Sequence, residues 1–124
     1  MNHADIDAFC RALPGATSDI KWQTEKVFSI GGKMFCVMAE NPAQSTRISI
    51  KVAANRFLEL TDQPGIRPAP YLARHGWIQL DAPDRVPSAT LAAWLSDSYQ
   101  LVRARLPKKF RDSLPAWPGT HQPQ

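Results

Sequence analysis

Cysteine is scarce in this 124-residue chain, which contains only Cys10 and Cys36, far apart and without a CxxC spacing. We therefore expect two buried free thiols rather than a disulfide. Histidine is equally sparse, and His3, His75 and His121 share no spacing typical of metal ligands. The sequence predicts neither a metal site nor a redox or nucleotide cofactor.

Long hydrophobic runs are also absent. No apolar stretch approaches the roughly 18 residues that a membrane-spanning helix needs, and the opening segment "MNHADIDAFC" is polar and acidic, unlike a secretion signal. Hydrophobic residues make up 44% of the chain and charged residues 21%, the balance of an ordinary globular domain. These features predict a cytoplasmic protein that does not bind a membrane.

Catalytic motifs are missing or weak. The chain has no P-loop and no GxGxxG pattern. The stretch "SDIK" (residues 18–21) matches S-x-x-K, but so short a pattern arises easily by chance and lacks its partner motifs. His75 is the one well-placed candidate base, and no serine or cysteine lies near it in the sequence. We therefore expect that the protein is not an enzyme.

Positive charge is concentrated in the second half of the chain. Residues 1–62 contain as many acidic as basic residues, whereas residues 63–124 contain eight Lys or Arg against four Asp or Glu, so this half carries the whole net charge of +4. The segment "LVRARLPKKFR" (residues 101–111) has five basic residues and no acidic one. A solvated helix end is the commoner arrangement, and a phosphate-binding patch is the alternative.

Hydrophobic periodicity predicts three helices and five strands. "ADIDAFCRALPG" and "AANRFLELTDQPG" have helical spacing and end at Pro-Gly. A 19-residue helix is expected over "SATLAAWLSDSYQLVRARL", with Ser88 as N-cap, Pro107 as terminator and a buried stripe of Leu91, Leu95, Val102 and Leu106. The resulting order, α-β-β-β-α-β-β-α, predicts a two-layer α+β fold in which an antiparallel sheet packs on helices. We assign residues 1–111 to one domain and the Pro-rich residues 112–124 to a C-terminal tail.

A glycine pair organises the central strands. Gly31-Gly32 joins "WQTEKVFSI" to "KMFCVMAE", which predicts a hairpin with a two-residue turn, Phe28 opposite Phe35 and Ile30 opposite Lys33. This register assigns one face to the core, containing Phe28, Ile30, Phe35 and Val37. The third strand, "TRISIKV", alternates with Ile48, Ile50 and Val52 inward. The other hairpin face, with Val27, Met34, Cys36 and Met38, is either covered by a loop or tail, or serves as an interface for a second copy or a protein partner.

The segment "PGIRPAPYLARHGWIQL" is stiffened by three prolines. Proline cannot donate to a strand ladder, so any strand in its first part must be short and at a sheet edge, whereas "HGWIQLD" is predicted as a regular strand. Arg67, Arg74 and His75 flank this stiff loop, which would lose little entropy on meeting a ligand. Tyr71 and Trp77 could stack on bases, although an aromatic residue in a strand is more often part of the core.

Three stretches of the chain, "VFSIGGKMF", "GIRPAPYLARHGWIQLD" and "SYQLVRARLPKK", resemble the MmcQ/YjbR family in order and spacing. The resemblance extends over roughly residues 4–109. It implies a fold similar to type III secretion chaperones and related to the frataxin-like arrangement. The family is commonly labelled DNA-binding, by analogy with a winged DNA-binding motif, so the resemblance implies that function too.

Together, these observations predict a non-catalytic DNA-binding protein. The candidate nucleic-acid-binding residues are the basic side chains of the stiff loop and of the last helix end: Arg67, Arg74, His75, Arg103, Arg105, Lys108, Lys109 and Arg111. The alternative function is a protein-interaction or chaperone-like adaptor that does not bind nucleic acid.

Overall fold

An antiparallel sheet of six strands forms one layer of the computed structural model, which describes residues 1–115. The strands are β1 (Ala16–Lys21), β2 (Glu25–Ile30), β3 (Lys33–Ala39), β4 (Ile48–Lys51), β5 (Ile66–Pro68) and β6 (Trp77–Leu80). Their order across the sheet is β1-β2-β3-β4-β6-β5. The helices within the same residues are α1 (His3–Arg11), α2 (Ala54–Thr61), α3 (Ser88–Arg103) and α4 (Lys108–Ser113). None of these helices has the length and apolar character that crossing a membrane requires.

The α+β class and the antiparallel sheet packed on helices are confirmed, but the predicted element order was incomplete. It lacked β1, which pairs with β2 along its whole length, and the short helix α4. Five of the six residues of β1 are exposed. Because this edge strand meets solvent on both faces, its sequence "ATSDIK" has no hydrophobic alternation from which a strand could be predicted.

The Gly31-Gly32 hairpin is confirmed, with φ angles of 59° and 79° at the two glycines. Ile30 pairs with Lys33 as expected, but Phe28 pairs with Cys36 and not with Phe35. A β-bulge between Phe28 and Ser29 shifts the register, so that Phe35 is the extra residue of β3. A bulge of this kind changes which face the residues beyond it occupy.

The bulge corrects the predicted faces of β3. Cys36 and Met38, assigned to the outer face, are buried in the core, whereas Val37 lies on the outer face, opposite Val27. Val27 is itself buried and Met34 is half-buried. Val27, Met34, Cys36 and Met38 therefore do not share one face of the hairpin, and an interface for a second copy or a protein partner stays a prediction.

The core lies between the inner sheet face and helices α1 to α3. Six of the residues predicted to face the core are fully buried: Phe28, Ile30, Phe35, Ile48, Ile50 and Leu95. Tyr99 of α3 and Trp77 of β6 are also buried. Cys10 and Cys36 are buried free thiols, as predicted, and a hydrogen bond between them together with burial raises the pKa of Cys10 well above its ordinary value.

Helix α3 is shorter than predicted. It ends at Arg103, and Pro107 precedes α4 as its N-cap instead of terminating α3. Ser88 does not cap the helix, because Pro87 occupies the N-cap position. The Ser88 hydroxyl instead accepts a hydrogen bond of 3.3 Å from the Met1 amino group. The buried stripe of Leu91, Leu95, Val102 and Leu106 is confirmed.

The proline-rich segment forms the outer margin of the sheet. β5 is a three-residue edge strand, as the prolines predicted. A 3₁₀ turn over Ala73–His75 follows, and Gly76 reverses the chain with a φ of 82° before β6 begins. α4 continues to Ser113, past the proposed domain boundary at residue 111. The remainder of the predicted tail, residues 116–124 with His121, lies outside the described residues.

Candidate functional site

A basic cavity of about 530 Å³ lies at one end of the sheet. β3 begins at Lys33 and β4 ends at Lys51, and because these strands are antiparallel the two lysines lie at the same end. The chain segment that follows α3 brings Arg105 to the same cavity. The remaining lining residues are uncharged: Gly31, Met34, Trp77, Val102, Leu106 and Pro107. We call this concavity the basic cavity.

The three cations of the basic cavity have no acidic partner within the described part of the chain. None forms an ion pair with a carboxylate of residues 1–115. Lys51 Nζ donates a hydrogen bond of 3.0 Å to the His75 carbonyl, which joins the 3₁₀ turn to the cavity. Burial, and secondarily the charge of Arg105, lowers the pKa of Lys51. An anion in the cavity would relieve this repulsion.

Sequence reasoning identified Arg105 and missed both lysines. The alternation of β4 did place Lys51 on its outward face, and the hairpin register placed Lys33 beside the turn. Each lysine is an isolated charge in its own segment, so a search for basic runs along the chain passes over it. The strand pattern was the available signal, but it does not show which helix end meets the sheet.

Three of the predicted basic residues already form ion pairs or hydrogen bonds within the protein. Arg67 pairs with Asp81 at 2.5 Å, and this contact lowers the pKa of the Asp81 carboxyl. Lys108 pairs with Asp112 at 2.8 Å along α4. Arg103 donates to the Tyr99 hydroxyl at 2.8 Å and to the Pro115 carbonyl at 3.2 Å, so it ties the end of α3 to the segment after α4.

The other predicted residues differ in exposure. Arg74 and His75 are exposed on the 3₁₀ turn that borders the basic cavity through Lys51. Lys109 is exposed on α4, where no carboxylate of residues 1–115 pairs with it. Arg111 is half-buried. The structure therefore associates Arg74, His75 and Arg105 with one region, and Arg67 and Lys108 are held in ion pairs.

A second concavity, of about 540 Å³, runs over the outer face of the sheet. We call it the outer groove. Its residues come from the strands and from three connecting segments: Trp22, Glu25, Met34, Val37, Met38, Arg47, Ser49, Pro70, Tyr71, Leu72 and Gln79. Met34 lines both the outer groove and the basic cavity, so the two concavities adjoin. Glu25 is the sole carboxylate among the lining residues, and Arg47 pairs with it at 2.7 Å.

Comparison with known proteins shows a family and a similar fold among solved structures. The family model described as YjbR matches residues 11–101. No curated protein matches the chain. The fold is similar to the crystal structure of a protein from Pseudomonas syringae determined by a structural genomics consortium, with a TM-score of 0.69 and 21% sequence identity over 82% of this chain and 99% of that one. At this identity the likeness concerns the fold alone.

Proposed function

This chain belongs to the YjbR family, and we propose that it binds DNA without catalysing a reaction, with Lys33, Lys51 and Arg105 contacting the phosphates. The observation that carries the proposal is the convergence of these three cations on one cavity, with no carboxylate of residues 1–115 paired to any of them. Phosphate contacts of this kind supply most of the affinity of non-specific DNA binding. Arg74 and His75 extend the positive surface from the neighbouring turn.

A non-catalytic role is supported by the placement of the candidate catalytic groups. Ser18 and Lys21, the ends of the S-x-x-K match, lie three residues apart on strand β1, so their side chains point to opposite faces. They cannot act on one substrate atom as a nucleophile and its base do. His75 is exposed on its turn, where its carbonyl, and not its ring, accepts from Lys51.

The test is a salt titration of DNA binding. Three phosphate contacts predict a slope of log affinity against log salt of roughly −2 to −3. The triple variant Lys33→Gln, Lys51→Gln, Arg105→Gln should flatten this slope by roughly 2 to 3 units and weaken binding to all sequences alike. Thermal melts should show that the variant is folded, since Lys33 and Arg105 are exposed, Lys51 is only half-buried, and exposed charges contribute little to stability.

A matched control removes charge outside the cavity. Lys108→Gln with Lys109→Gln changes two cations of α4, one of which is already paired with Asp112, and should flatten the slope less than the cavity variant does. Equal effects would indicate a diffuse basic surface without a phosphate site. Absence of salt-dependent binding to any DNA would leave the adaptor alternative, whose docking surface would be the outer groove.

A further inference from the structure

Two aromatic side chains stand exposed on the walls of the outer groove. Tyr71 is 98% exposed and Trp22 is 66% exposed, yet both line the same concavity from different loops. Large aromatic side chains normally bury much of their surface in a small domain. Neither ring is part of the hydrophobic core of the described residues, so packing does not explain their presence at this position.

The backbone at both aromatics is in an unfavourable conformation. Trp22 has a φ of 53°, its neighbour Gln23 a φ of 67° and Tyr71 a φ of 65°, and these are the residues other than glycine with positive φ within residues 1–115. Bulky side chains rarely adopt this left-handed region, which asparagine and glycine tolerate better. Strained backbone that presents a functional group is typical of ligand sites. Here the same strain recurs on both walls of one groove.

We propose that the outer groove binds single-stranded nucleic acid, with unpaired bases stacked on Trp22 and Tyr71 and phosphates held in the adjoining basic cavity. The inference rests on the proposed function and specifies its substrate class. Aromatic side chains beside a positively charged track are the arrangement by which proteins bind single strands without sequence preference. Bases of an intact duplex are stacked on one another, so rings on the groove walls cannot reach their faces.

The charge of the lining residues suits single-stranded nucleic acid. Glu25 is the single acidic residue among the described residues that line the groove, and Arg47, which directly precedes β4, pairs with it. Met34 lines both concavities, so the surface between the groove and the lysines of the basic cavity, Lys33 and Lys51, is uncharged at this residue. A chain that alternates phosphates with flat apolar bases matches a basic cavity joined to an aromatic-walled groove.

The experiment compares three probes of equal length: a thymidine oligonucleotide, an abasic deoxyribose-phosphate oligomer of the same charge, and a duplex. Stacking predicts that wild type binds the thymidine probe at least about fivefold more tightly than the abasic one, and more tightly than the duplex. In the double variant Trp22→Asn, Tyr71→Asn this preference should disappear while the salt slope is kept. Asparagine tolerates the left-handed backbone, so the loops should keep their shape.

Two further variants separate stacking from general effects. Trp22→Phe with Tyr71→Phe keeps both rings and should retain the preference for the thymidine probe. Leu58→Ala removes an exposed apolar side chain of α2, which is 79% exposed and does not line the groove, and should leave all three affinities unchanged.

The three probes distinguish base stacking in the outer groove from phosphate binding in the basic cavity. Equal binding of thymidine and abasic probes, or tighter binding of the duplex, would overturn single-strand stacking and leave phosphate binding at Lys33, Lys51 and Arg105 intact. Absence of binding to every probe would overturn both. A concentration-dependent dimer that Trp22→Asn, Tyr71→Asn abolishes, together with no thymidine preference, would assign the groove to a second copy of the chain and refute the proposal.

Discussion

The hydroxyl of Ser98 in α3 donates a hydrogen bond of 2.5 Å to the carbonyl oxygen of Phe35, the bulged residue of β3. The Ser98 hydroxyl oxygen in turn accepts a hydrogen bond of 2.9 Å from the backbone N–H of Lys51 at the end of β4. Phe35 has no register partner in β2, and the pairing of β3 with β4 begins at Cys36 and Ile50. One buried side chain thus connects the bulge of β3 to the end of β4 and positions Lys51 at the basic cavity.

Replacing Ser98 with alanine should destabilise the protein by about 1–3 kcal/mol, because the variant leaves the Phe35 carbonyl and the Lys51 N–H without their buried partner. Urea unfolding measures the loss. Ser18→Ala on the exposed strand β1 is the matched control and should change stability by no more than about 0.5 kcal/mol. Similar small effects in both variants would mean that water replaces the Ser98 contacts.

Phe35→Ala should cost about 3–5 kcal/mol as a cavity-forming substitution. The Phe35 ring is fully buried, with its centroid 5.5 Å from that of Tyr99 in an edge-on arrangement and 6.4 Å from that of Phe28. Leu58→Ala, at an exposed position, should stay within about 0.5 kcal/mol of wild type. A loss below about 1 kcal/mol for Phe35→Ala in denaturant melts would contradict its place in the core.

The hairpin glycines offer a matched pair of substitutions. Both have positive φ, so alanine at either position carries the left-handed cost of roughly 1–2 kcal/mol. A Cβ at Gly31 would also lie 2.8 Å from two methyl carbons of Leu106 and 3.2 Å from the Phe110 ring, whereas at Gly32 it would meet open space. Gly31→Ala should therefore destabilise by about 1–3 kcal/mol more than Gly32→Ala. Equal losses in thermal or urea unfolding would contradict the packing of Leu106 against the turn.

The titration of Lys51 tests the electrostatics of the basic cavity. Its pKa lies below the ordinary lysine value, chiefly through burial and secondly through Arg105. Arg105→Gln should therefore raise the pKa of Lys51 part of the way back, while burial keeps it lowered. Side-chain NMR titration measures this, and Lys108→Gln on α4 should leave the value unchanged. An unchanged Lys51 pKa in Arg105→Gln would mean that the two cations do not interact.

The lowered pKa of Lys51 also makes the stability of the protein depend on pH in a defined direction. In the folded state Lys51 binds its proton less tightly than in the unfolded chain, so its charged form destabilises the fold. As pH rises through the lowered folded pKa, this penalty is relieved, and the contribution to stability increases up to the unfolded pKa of about 10.4. Affinity for DNA should change in the opposite direction, since the cavity loses one positive charge over the same range.

Hydrophobic alternation and turn chemistry determined most of the fold without reference to tertiary structure. Gly31-Gly32 specified the hairpin because both turn positions need positive φ. The alternation of Ile48 and Ile50 specified the inner face of β4, and the prolines near Arg67 confined β5 to a sheet edge. Each of these signals acts over a few neighbouring residues, so the sequence contains it in full.

Tertiary structure alone decided the register of β3 and the make-up of the site. The bulge at Phe35 places Cys36 in the core. The Phe35 carbonyl accepts a hydrogen bond from the hydroxyl of Ser98, 63 residues away along the chain. Lys33, Lys51 and Arg105 form no basic run in the sequence, and they meet only because antiparallel strand ends and the end of α3 converge at one edge of the sheet. Contacts between residues so distant in sequence leave no local pattern, since each residue alone satisfies the ordinary preferences of its strand or helix.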